Sequence, residues 1–246
     1  MNQYDVFDRL GLDFKPVGVK FSMFRPEDLP LLEEKTAVCE MLHVAQTKGG
    51  FYAAKESHGC AVGPYILGES EDDPGMIGGL IGPRIHVYED ERANANIYYG
   101  MKKLAKGTAP YILFDTTDHM TFDPDLIILM CHPSQAEIVL RANGYRTGRG
   151  WHAYGTTVAG CACLYTRPYL TGELNMMVTG LHHGMKARKI FPEGLLMLSL
   201  PYQILPEIVD SLQKMEWNLP QYSWGKEYHT QYMAGIGKQI AEDLKK

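Results

Sequence analysis

The chain has 246 residues, of which 45% are hydrophobic and 22% are charged, a balance typical of a soluble globular protein. Lys and Arg number 24 against 29 Asp and Glu, and the resulting net charge of −5 excludes the basic field that nucleic-acid binding needs. Because no apolar run reaches about 18 residues and no secretory signal is present, we expect neither a membrane span nor export. A single cytoplasmic domain, 1–246, is the expectation.

The hydrophobic pattern predicts helices and strands that mix without strict alternation. In chain order, the predicted elements are a short helix at 6–10, a strand at 17–21, a helix at 34–47, strands at 84–88, 111–115 and 126–130, a helix at 133–142, strands from 178 and at 195–200, a helix at 204–215 and a terminal helix from 224. This order favours the α+β class, with a mixed sheet and flanking helices.

The five cysteines are the most informative residues: Cys39, Cys60, Cys131, Cys161 and Cys163. An odd number without an export signal argues against a disulfide framework, so they are free thiols or metal ligands. Cys131 ends an apolar strand and is interpreted as an ordinary buried thiol. Cys163, two residues after Cys161, points to the opposite face if that segment is extended.

Two segments share an order of residues: a Gly-Cys-Ala triplet, then Pro-Tyr, then Gly-Glu. The first spans 59–69 and contains Cys60; the second spans 160–173 and contains Cys161. Each pattern predicts a cysteine in a turn before a short helix, where the positive end of the helix dipole would favour the thiolate. The repetition suggests two pseudo-related halves, 17–120 and 121–220.

The histidines are ambiguous. His182 and His183 stand in a glycine-flanked turn, and His58 lies two residues before Cys60. His43 lies one turn after Cys39 on the predicted helix, so a nucleophilic cysteine with a neighbouring base is one hypothesis. The phosphate-binding loop, the dinucleotide-binding glycine motif, His-Glu-x-x-His and Gly-x-Ser-x-Gly are all absent from the sequence.

The order of several short segments resembles an uncharacterised family of archaeal and anaerobic bacterial proteins, the ArCR-like domain-of-unknown-function family 169. The segments that carry the resemblance are 16–21, Cys39, Cys60 with the Gly-Pro segment ending at Gly68, 125–130, 133–136, Cys161, 168–172 and 195–201. The family pattern has a cysteine at Cys39, Cys60 and Cys161. Its fourth cysteine falls near His182 or His183, where this chain departs from the pattern.

Four such cysteines imply an iron–sulfur site, most simply a 4Fe-4S cluster. The resemblance therefore implies an iron–sulfur protein of anaerobic metabolism, for electron transfer or for small-molecule chemistry as an oxidoreductase or lyase. His182 or His183 would be the fourth ligand, which raises the reduction potential, or a nearby proton donor beside an open iron. A Cys₃His zinc site is an acceptable alternative for the same residues.

The expected partners are a small-molecule substrate, a redox partner protein and a second copy of the chain. Basic side chains near Arg84, the 155–156 turn and the 186–188 segment are candidate contacts for an anionic substrate. The alternative from another class is a small-molecule-binding or structural module, with zinc or with no metal, whose cysteines are ordinary buried thiols.

Overall fold

A computed structural model describes residues 3–246 of the chain. The chain divides into two compact units, of which the first ends at Gln213 and the second comprises Lys214–Lys246. The first unit contains a six-stranded sheet and the segments that carry all five cysteines. The α+β class predicted from the sequence is confirmed, with 43% helix and 14% strand.

The strands of the sheet are antiparallel to every neighbour. In chain order they are β1 Val17–Ser22, β2 Phe51–Ala53, β3 Tyr111–Thr116, β4 Leu126–Cys131, β5 Asn175–Val178 and β6 Leu196–Pro201, and they lie in the order β2-β3-β1-β4-β6-β5. The predicted mixed sheet is therefore wrong. The helices between strands are not crossovers that would return the chain parallel to a neighbouring strand.

The centre of the sheet is its most buried part. All six residues of β4 are buried, as the continuous apolar run 126–130 predicted for a strand covered on both faces. The aromatic rings of Phe51 and Phe114 stack across β2 and β3 with centroids 5.2 Å apart. This core is continuous with the residues around Cys39 and Cys161.

Short helices flank the sheet: α1 Met41–Lys48, α2 Val62–Ile66, α3 Pro74–Ile77, α4 Ile81–Arg84, α5 Glu91–Gly100, α6 Pro133–Gly144, α7 Arg167–Thr171, α8 His183–Arg188 and α9 Leu205–Lys214. The helix predicted at 133–142 is confirmed as α6. It begins with Pro133 in its first turn, and the Gln135 side chain accepts a hydrogen bond from the backbone N–H of His132. The helix predicted at 204–215 is confirmed as α9.

Three predicted elements differ from the structure. The strand predicted to begin at residue 178 instead ends there, as β5. The segment 84–88 is not a strand: α4 ends at Arg84 and the chain turns at His86, whose φ is +56°. Pro83, which has no N–H to donate to a ladder, suits this short helix better than a strand. The helix predicted at 34–47 begins only at Met41, because the chain before it forms β-bridges instead, from Leu31 to Tyr52 of β2 and from Thr36 to His58.

The second unit contains one long helix, α10 Lys226–Asp243, which agrees with the terminal helix predicted from residue 224. A short 3-10 turn, Pro220–Ser223, precedes it. The Trp224 ring packs edge-on against the rings of Tyr228 and Tyr232, with centroids 4.9 and 4.8 Å apart, and these contacts stabilise the first turns of the helix. Within residues 3–246, no helix is long and apolar enough to cross a bilayer.

Candidate thiol site

Three cysteines that are far apart in the sequence lie close together in the first unit. Cys39, Cys60 and Cys161 are near enough for the charge of Cys60 to act on both of the others, and for the charge of Cys39 to act on Cys161. Cys39 and Cys161 are each 4% exposed, whereas Cys60 is partly exposed. We call this group the thiol cluster.

Cys39 reaches the cluster from the turn that leads into α1, rather than from inside a helix. The turn is closed by backbone hydrogen bonds from the N–H groups of Glu40 and Met41 to the carbonyl of Ala37, at 2.7 and 3.2 Å. The bridge between Thr36 and His58 fixes the chain three residues before the cysteine. Cys39 is therefore held between this bridge and a helix start.

Cys161 lies at the start of a helical segment that begins with a π turn, Ala162–Thr166, and continues as α7. The residue two before the cysteine, Ala159, has a φ of +58°, in the left-handed region that non-glycine residues rarely adopt. Both π turns and left-handed non-glycine residues concentrate at functional sites. The unusual backbone here directs Cys161 into the core.

The π turn disturbs the regular helical hydrogen bonding, and buried side chains satisfy the carbonyls involved. Asn175 Nδ2 donates to the carbonyl of Cys163 at 2.8 Å, and Ser199 Oγ donates to that of Leu164 at 2.6 Å. Asn175 and Ser199 are directly opposite each other on β5 and β6 and are almost fully buried. These two polar strand residues thus support the backbone that carries Cys161.

Cys60 lies between a 3-10 turn, Lys55–Ser57, and helix α2. Just before it, the backbone N–H of Gly59 donates to the carbonyl of Thr36 at 2.9 Å, which joins this segment to the Cys39 turn. Gly68 and Gly172 have φ values of +72° and +68° and end the two helical segments that follow Cys60 and Cys161. The residue order shared by these segments therefore builds a similar local shape.

A buried histidine–glutamate pair lies beside Cys60. His58 Nε2 is 3.0 Å from a carboxylate oxygen of Glu69, and the two side chains are only 1% and 7% exposed. The two groups are close but not aligned for a hydrogen bond. Within the folded core, this pair ties the segment before Cys60 to the residue that follows the end of α2.

Burial dominates the electrostatics of the thiol cluster. It raises the pKa of Cys39 to about 12; the charge of Cys60 adds to the rise, and the charge of Arg188 opposes it. Burial also raises the pKa of Cys161 well above the usual thiol range, with further contributions from Cys60 and Cys39. The expected thiolate at Cys161 is not favoured, because burial outweighs any helix dipole. Without a cation these two thiols stay protonated at neutral pH.

The raised pKa of Cys39 also argues against the hypothesis that Cys39 is a nucleophile. A reactive thiol needs a lowered pKa and access to solvent, and Cys39 has neither. The proposed base, His43, instead lies edge-on to Phe191 with ring centroids 6.1 Å apart. The structure therefore gives no support to a Cys39–His43 pair.

His182 is buried at the start of α8. Its Nδ1 atom accepts a hydrogen bond from the backbone N–H of Met185 at 3.2 Å, which caps the helix. Its Nε2 atom is buried and has no hydrogen-bond partner within the described residues 3–246. Burial lowers the pKa of His182 to about 4, with smaller effects from Arg188 and His183, so the ring is neutral at pH 7.

The His182 ring lies directly beside the Cys161 segment. A methyl group placed on Gly160 would come within 2.4 Å of the His182 ring, so the ring packs on the backbone just before the cysteine. His183 differs from His182: its side chain is exposed, and its backbone N–H donates to the carbonyl of Thr157 at 2.8 Å. Of the two sequence candidates, His182 has the buried position.

Among the basic residues suggested by the sequence, Arg188 influences the electrostatics of the thiol cluster. Its charge lowers both the pKa of Cys39 and that of His182, although the side chain is exposed. Lys186 pairs with Glu193 at 3.1 Å, and the Arg84 guanidinium lies by Glu91 at 4.0 Å. Arg188 is therefore the cation at the edge of the thiol cluster.

The other two cysteines have different surroundings. Cys131 is buried at the end of β4, where its Sγ lies 3.7 Å from the carbonyl oxygen of Leu196 and burial alone raises its pKa to about 12. Its interpretation as an ordinary core thiol agrees with these surroundings. The charge of Cys163 contributes to the raised pKa of Cys161. The Sγ atom of Cys163 itself lies 3.7 Å from the hydroxyl of Thr156.

The sequence patterns did not single out Glu69, Asn175, Ser199 or Tyr165. The signal available was weak: a polar residue within an apolar strand, as at Ser199 in β6, indicates a buried hydrogen bond but not its partner. Only the folded chain brings these residues to the cysteine segments.

Comparison with protein-family models matches residues 7–211 to one family, DUF169, described as uncharacterised ArCR. The match covers most of the chain and all of the thiol cluster. Neither the curated proteins nor the solved structures give a significant match.

Proposed function

The chain belongs to the uncharacterised ArCR family DUF169, and from this premise we propose that its thiol cluster holds an iron–sulfur cluster. Cys39, Cys60 and Cys161 would be the ligands, and His182 would complete the site. The protein would work as an electron-transfer protein or as an oxidoreductase acting on a small molecule. A redox partner protein or an organic substrate would then approach the exposed side, at Cys60.

The observation that carries this proposal is the convergence of three thiols from segments up to 122 residues apart along the chain (39 to 161). Ordinary buried cysteines are dispersed through a core, as Cys131 is. Metal-free thiols gain nothing from facing one another, since each raises the cost of ionising the next. A cation or cationic cluster reverses that cost, because thiolates are the form that it binds.

A cluster and a single metal ion require different spacings of their sulfur ligands. Within residues 3–246, no three side chains of His, Cys, Asp or Glu are grouped so that they could hold one metal ion. A tetrahedral zinc ion with Zn–S bonds of about 2.3 Å needs its sulfur ligands roughly 4 Å apart. An iron–sulfur cluster fills the space between its cysteines, so its ligands stand farther apart.

The strand order supports a fourth position at the site. From the centre outward, the two halves of the sheet have the same order, β1-β3-β2 and β4-β6-β5, which we interpret as two pseudo-related halves. Cys39 and Cys161 each precede the helical segment that leads to an edge strand. Cys60 and His182 each follow an edge strand and a 3-10 turn. This arrangement pairs Cys161 with Cys39, not with Cys60 as the repeated sequence pattern suggests.

The hydrogen bonding of His182 favours a role as a hydrogen-bond donor to the cluster rather than as a metal ligand. Because Nδ1 accepts from the Met185 N–H, the neutral ring carries its proton on Nε2. Ligation through Nε2 would require moving that proton to Nδ1 and breaking the cap. A buried Nε2–H without a partner is suited to donate to a sulfur of the cluster, to a thiolate or to a bound substrate.

The remaining side chains have defined tasks in this proposal. An iron–sulfur cluster supplies electron transfer or, with an open iron, a Lewis acid. Arg188 offsets the negative charge that three thiolates bring into the core. The apolar core around Cys39 and Cys161 limits the access of water to the site.

The test is strictly anaerobic purification followed by iron and acid-labile sulfide analysis and a visible spectrum. The proposal expects several irons per chain, an equivalent amount of sulfide and broad absorption in the visible region. Zinc alone, or no metal after attempted reconstitution with iron and sulfide, would contradict it.

A second candidate is a structural or small-molecule-binding module without a redox cluster. The raised pKa of Cys39 and of Cys161 favours it, since protonated thiols are stable in an apolar core without any metal. In that case the metal-free protein would be as stable as the protein after reconstitution.

A further inference from the structure

A pocket of roughly 380 Å³ opens in the first unit where α2, α3 and α5 meet. This volume falls within the range of small-molecule sites, about 300–1,000 Å³. The pocket is lined by Tyr65, Asp72, Pro74, Ile77, Gly78, Tyr98 and Tyr99.

The pocket has flat, mostly apolar walls. The rings of Tyr65 and Tyr98 pack edge to face with centroids 6.0 Å apart, and Tyr99, which is 86% exposed, stands at the mouth. Pro74 and Ile77 complete the apolar lining. Aromatic walls of this kind favour a planar ring, which can stack or pack edge-on against them.

The polar groups of the pocket are balanced in charge. Asp72 accepts a hydrogen bond from Lys103 Nζ at 2.8 Å, and the same ammonium lies 4.3 Å from the centre of the Tyr65 ring. Because this cation already neutralises the carboxylate, the pocket favours an uncharged ligand. A carboxylate has acceptor sites beyond the one that Lys103 uses, and they can take an N–H from such a ligand.

The inner wall of the pocket adjoins the thiol cluster. Tyr65 is in α2, five residues after Cys60, and Tyr98 is close enough to Cys161 for the charge of one to act on the other. Both tyrosines belong to the same continuous core as Cys39 and Cys161. A molecule in this pocket would therefore contact two tyrosines of the core that contains Cys39 and Cys161.

We infer that this pocket binds an uncharged planar organic molecule that carries an N–H group, placed beside the thiol cluster. This inference rests on the proposed function only in taking the bound molecule as the substrate of that site. The pocket itself is formed by side chains that hold no metal.

Benzamide is a suitable probe, because it is planar and uncharged and carries N–H groups. Binding would be measured by calorimetry and by ligand-observed NMR, on metal-free protein and on protein reconstituted with iron and sulfide. We expect benzamide to bind about twofold to tenfold more tightly than cyclohexanecarboxamide, which has the same amide on a non-planar ring. Benzoate should bind more weakly than benzamide, because it has no N–H to donate to Asp72 and its charge is costly to desolvate in a pocket whose own charges are already paired.

Two variants place the binding in this pocket. Ile77→Trp fills the cavity and should abolish detectable benzamide binding. Tyr99→Ala removes an exposed side chain at the mouth, so it should leave the fold intact and weaken benzamide binding about twofold to tenfold. Tyr145→Ala, at an exposed tyrosine outside the pocket, is the matched control and should bind like the parent protein.

Equal affinity for benzamide and cyclohexanecarboxamide, or unchanged binding by Ile77→Trp, would overturn the inference. The outcome is separable from the proposed function. Benzamide binding by a protein that takes up no iron during reconstitution would support the pocket and contradict the cluster. Uptake of iron and sulfide without benzamide binding would support the cluster and contradict the pocket.

Discussion

The hydroxyl of Tyr165 donates a hydrogen bond to the carbonyl of Val38 at 2.9 Å, across 127 residues of chain. Tyr165 belongs to the π turn that follows Cys161, and Val38 immediately precedes Cys39. The bond therefore joins the two backbone segments that carry the buried cysteines. The Tyr165 ring is fully buried and packs edge-on against Phe114 of the sheet, which fixes the hydroxyl in place.

Removing that hydroxyl should loosen the thiol cluster. Tyr165→Phe keeps the ring but loses one buried hydrogen bond, so we expect a loss of about 0.5–1.5 kcal/mol in the free energy of unfolding, measured with urea. It should also retain less iron after reconstitution, because two ligands are less firmly placed. Tyr145→Phe, at an exposed tyrosine, is the control. Full iron retention by Tyr165→Phe would argue against a positioning role.

The contact between Gly160 and His182 should tolerate no side chain. Gly160→Ala would place its methyl group 2.4 Å from the His182 ring, which must move and lose its hydrogen bond to Met185. We expect a loss of about 1–3 kcal/mol in urea unfolding. Gly180→Ala is the matched control, since no other atom lies within 4 Å of its added methyl group, and should change stability by less than about 0.5 kcal/mol.

Capping and proton donation by His182 can be separated with two variants. His182→Ala removes the α8 cap and should cost about 1 kcal/mol, whereas His182→Asn offers a side-chain oxygen to the Met185 N–H and should recover most of that loss. Neither variant keeps the Nε2–H, so both should shift the reduction potential of the reconstituted protein. A potential that recovers along with stability in His182→Asn would show that His182 acts only as a cap.

The cysteines should divide into two groups by their effect on the visible spectrum. Cys60→Ala should lose the broad absorption and the bound iron while it remains folded, because Cys60 is partly exposed and contributes little packing. Cys131→Ala should keep the spectrum and lose only stability, since Cys131 is a core thiol apart from the cluster. Iron content and far-UV circular dichroism measure the two effects. Identical spectra for Cys60→Ala and the parent protein would remove Cys60 from the ligand set.

Asp125 should make folding less favourable as pH rises. Its carboxylate accepts from the Phe21 N–H at 2.7 Å, yet burial is the larger effect and raises the pKa of Asp125 above its ordinary value. Since the unfolded chain ionises first, near pH 3.9, stability is lost as pH rises from there through the folded pKa, and is constant above it. Asp125→Asn removes this cost and should gain stability relative to the parent between pH 3 and pH 7 in urea unfolding. A relative loss over that range would show that the charged hydrogen bond outweighs burial.

The α+β class, the buried central strand and helices α6, α9 and α10 follow from local patterns in the sequence. Apolar periodicity and proline placement act over a few residues, so they suffice for such elements. The antiparallel pairing could not be deduced in the same way, because direction depends on how distant strands meet. The segment 84–88 shows the same limit: its apolar residues suit a strand, but the short helix α4 ends at Arg84 and the chain turns at His86.

The sequence by itself determined which residues are candidates for the site: three cysteines, a histidine pair and their order along the chain. Only the tertiary structure decided that Cys39, Cys60 and Cys161 lie near enough for their charges to interact, that Cys131 stands apart and that His182 rather than His183 is buried. Residue types and their spacing along the chain indicate which chemistry each side chain can perform. The distance between groups that are a hundred residues apart arises from the packing of strands and turns, which no local pattern encodes.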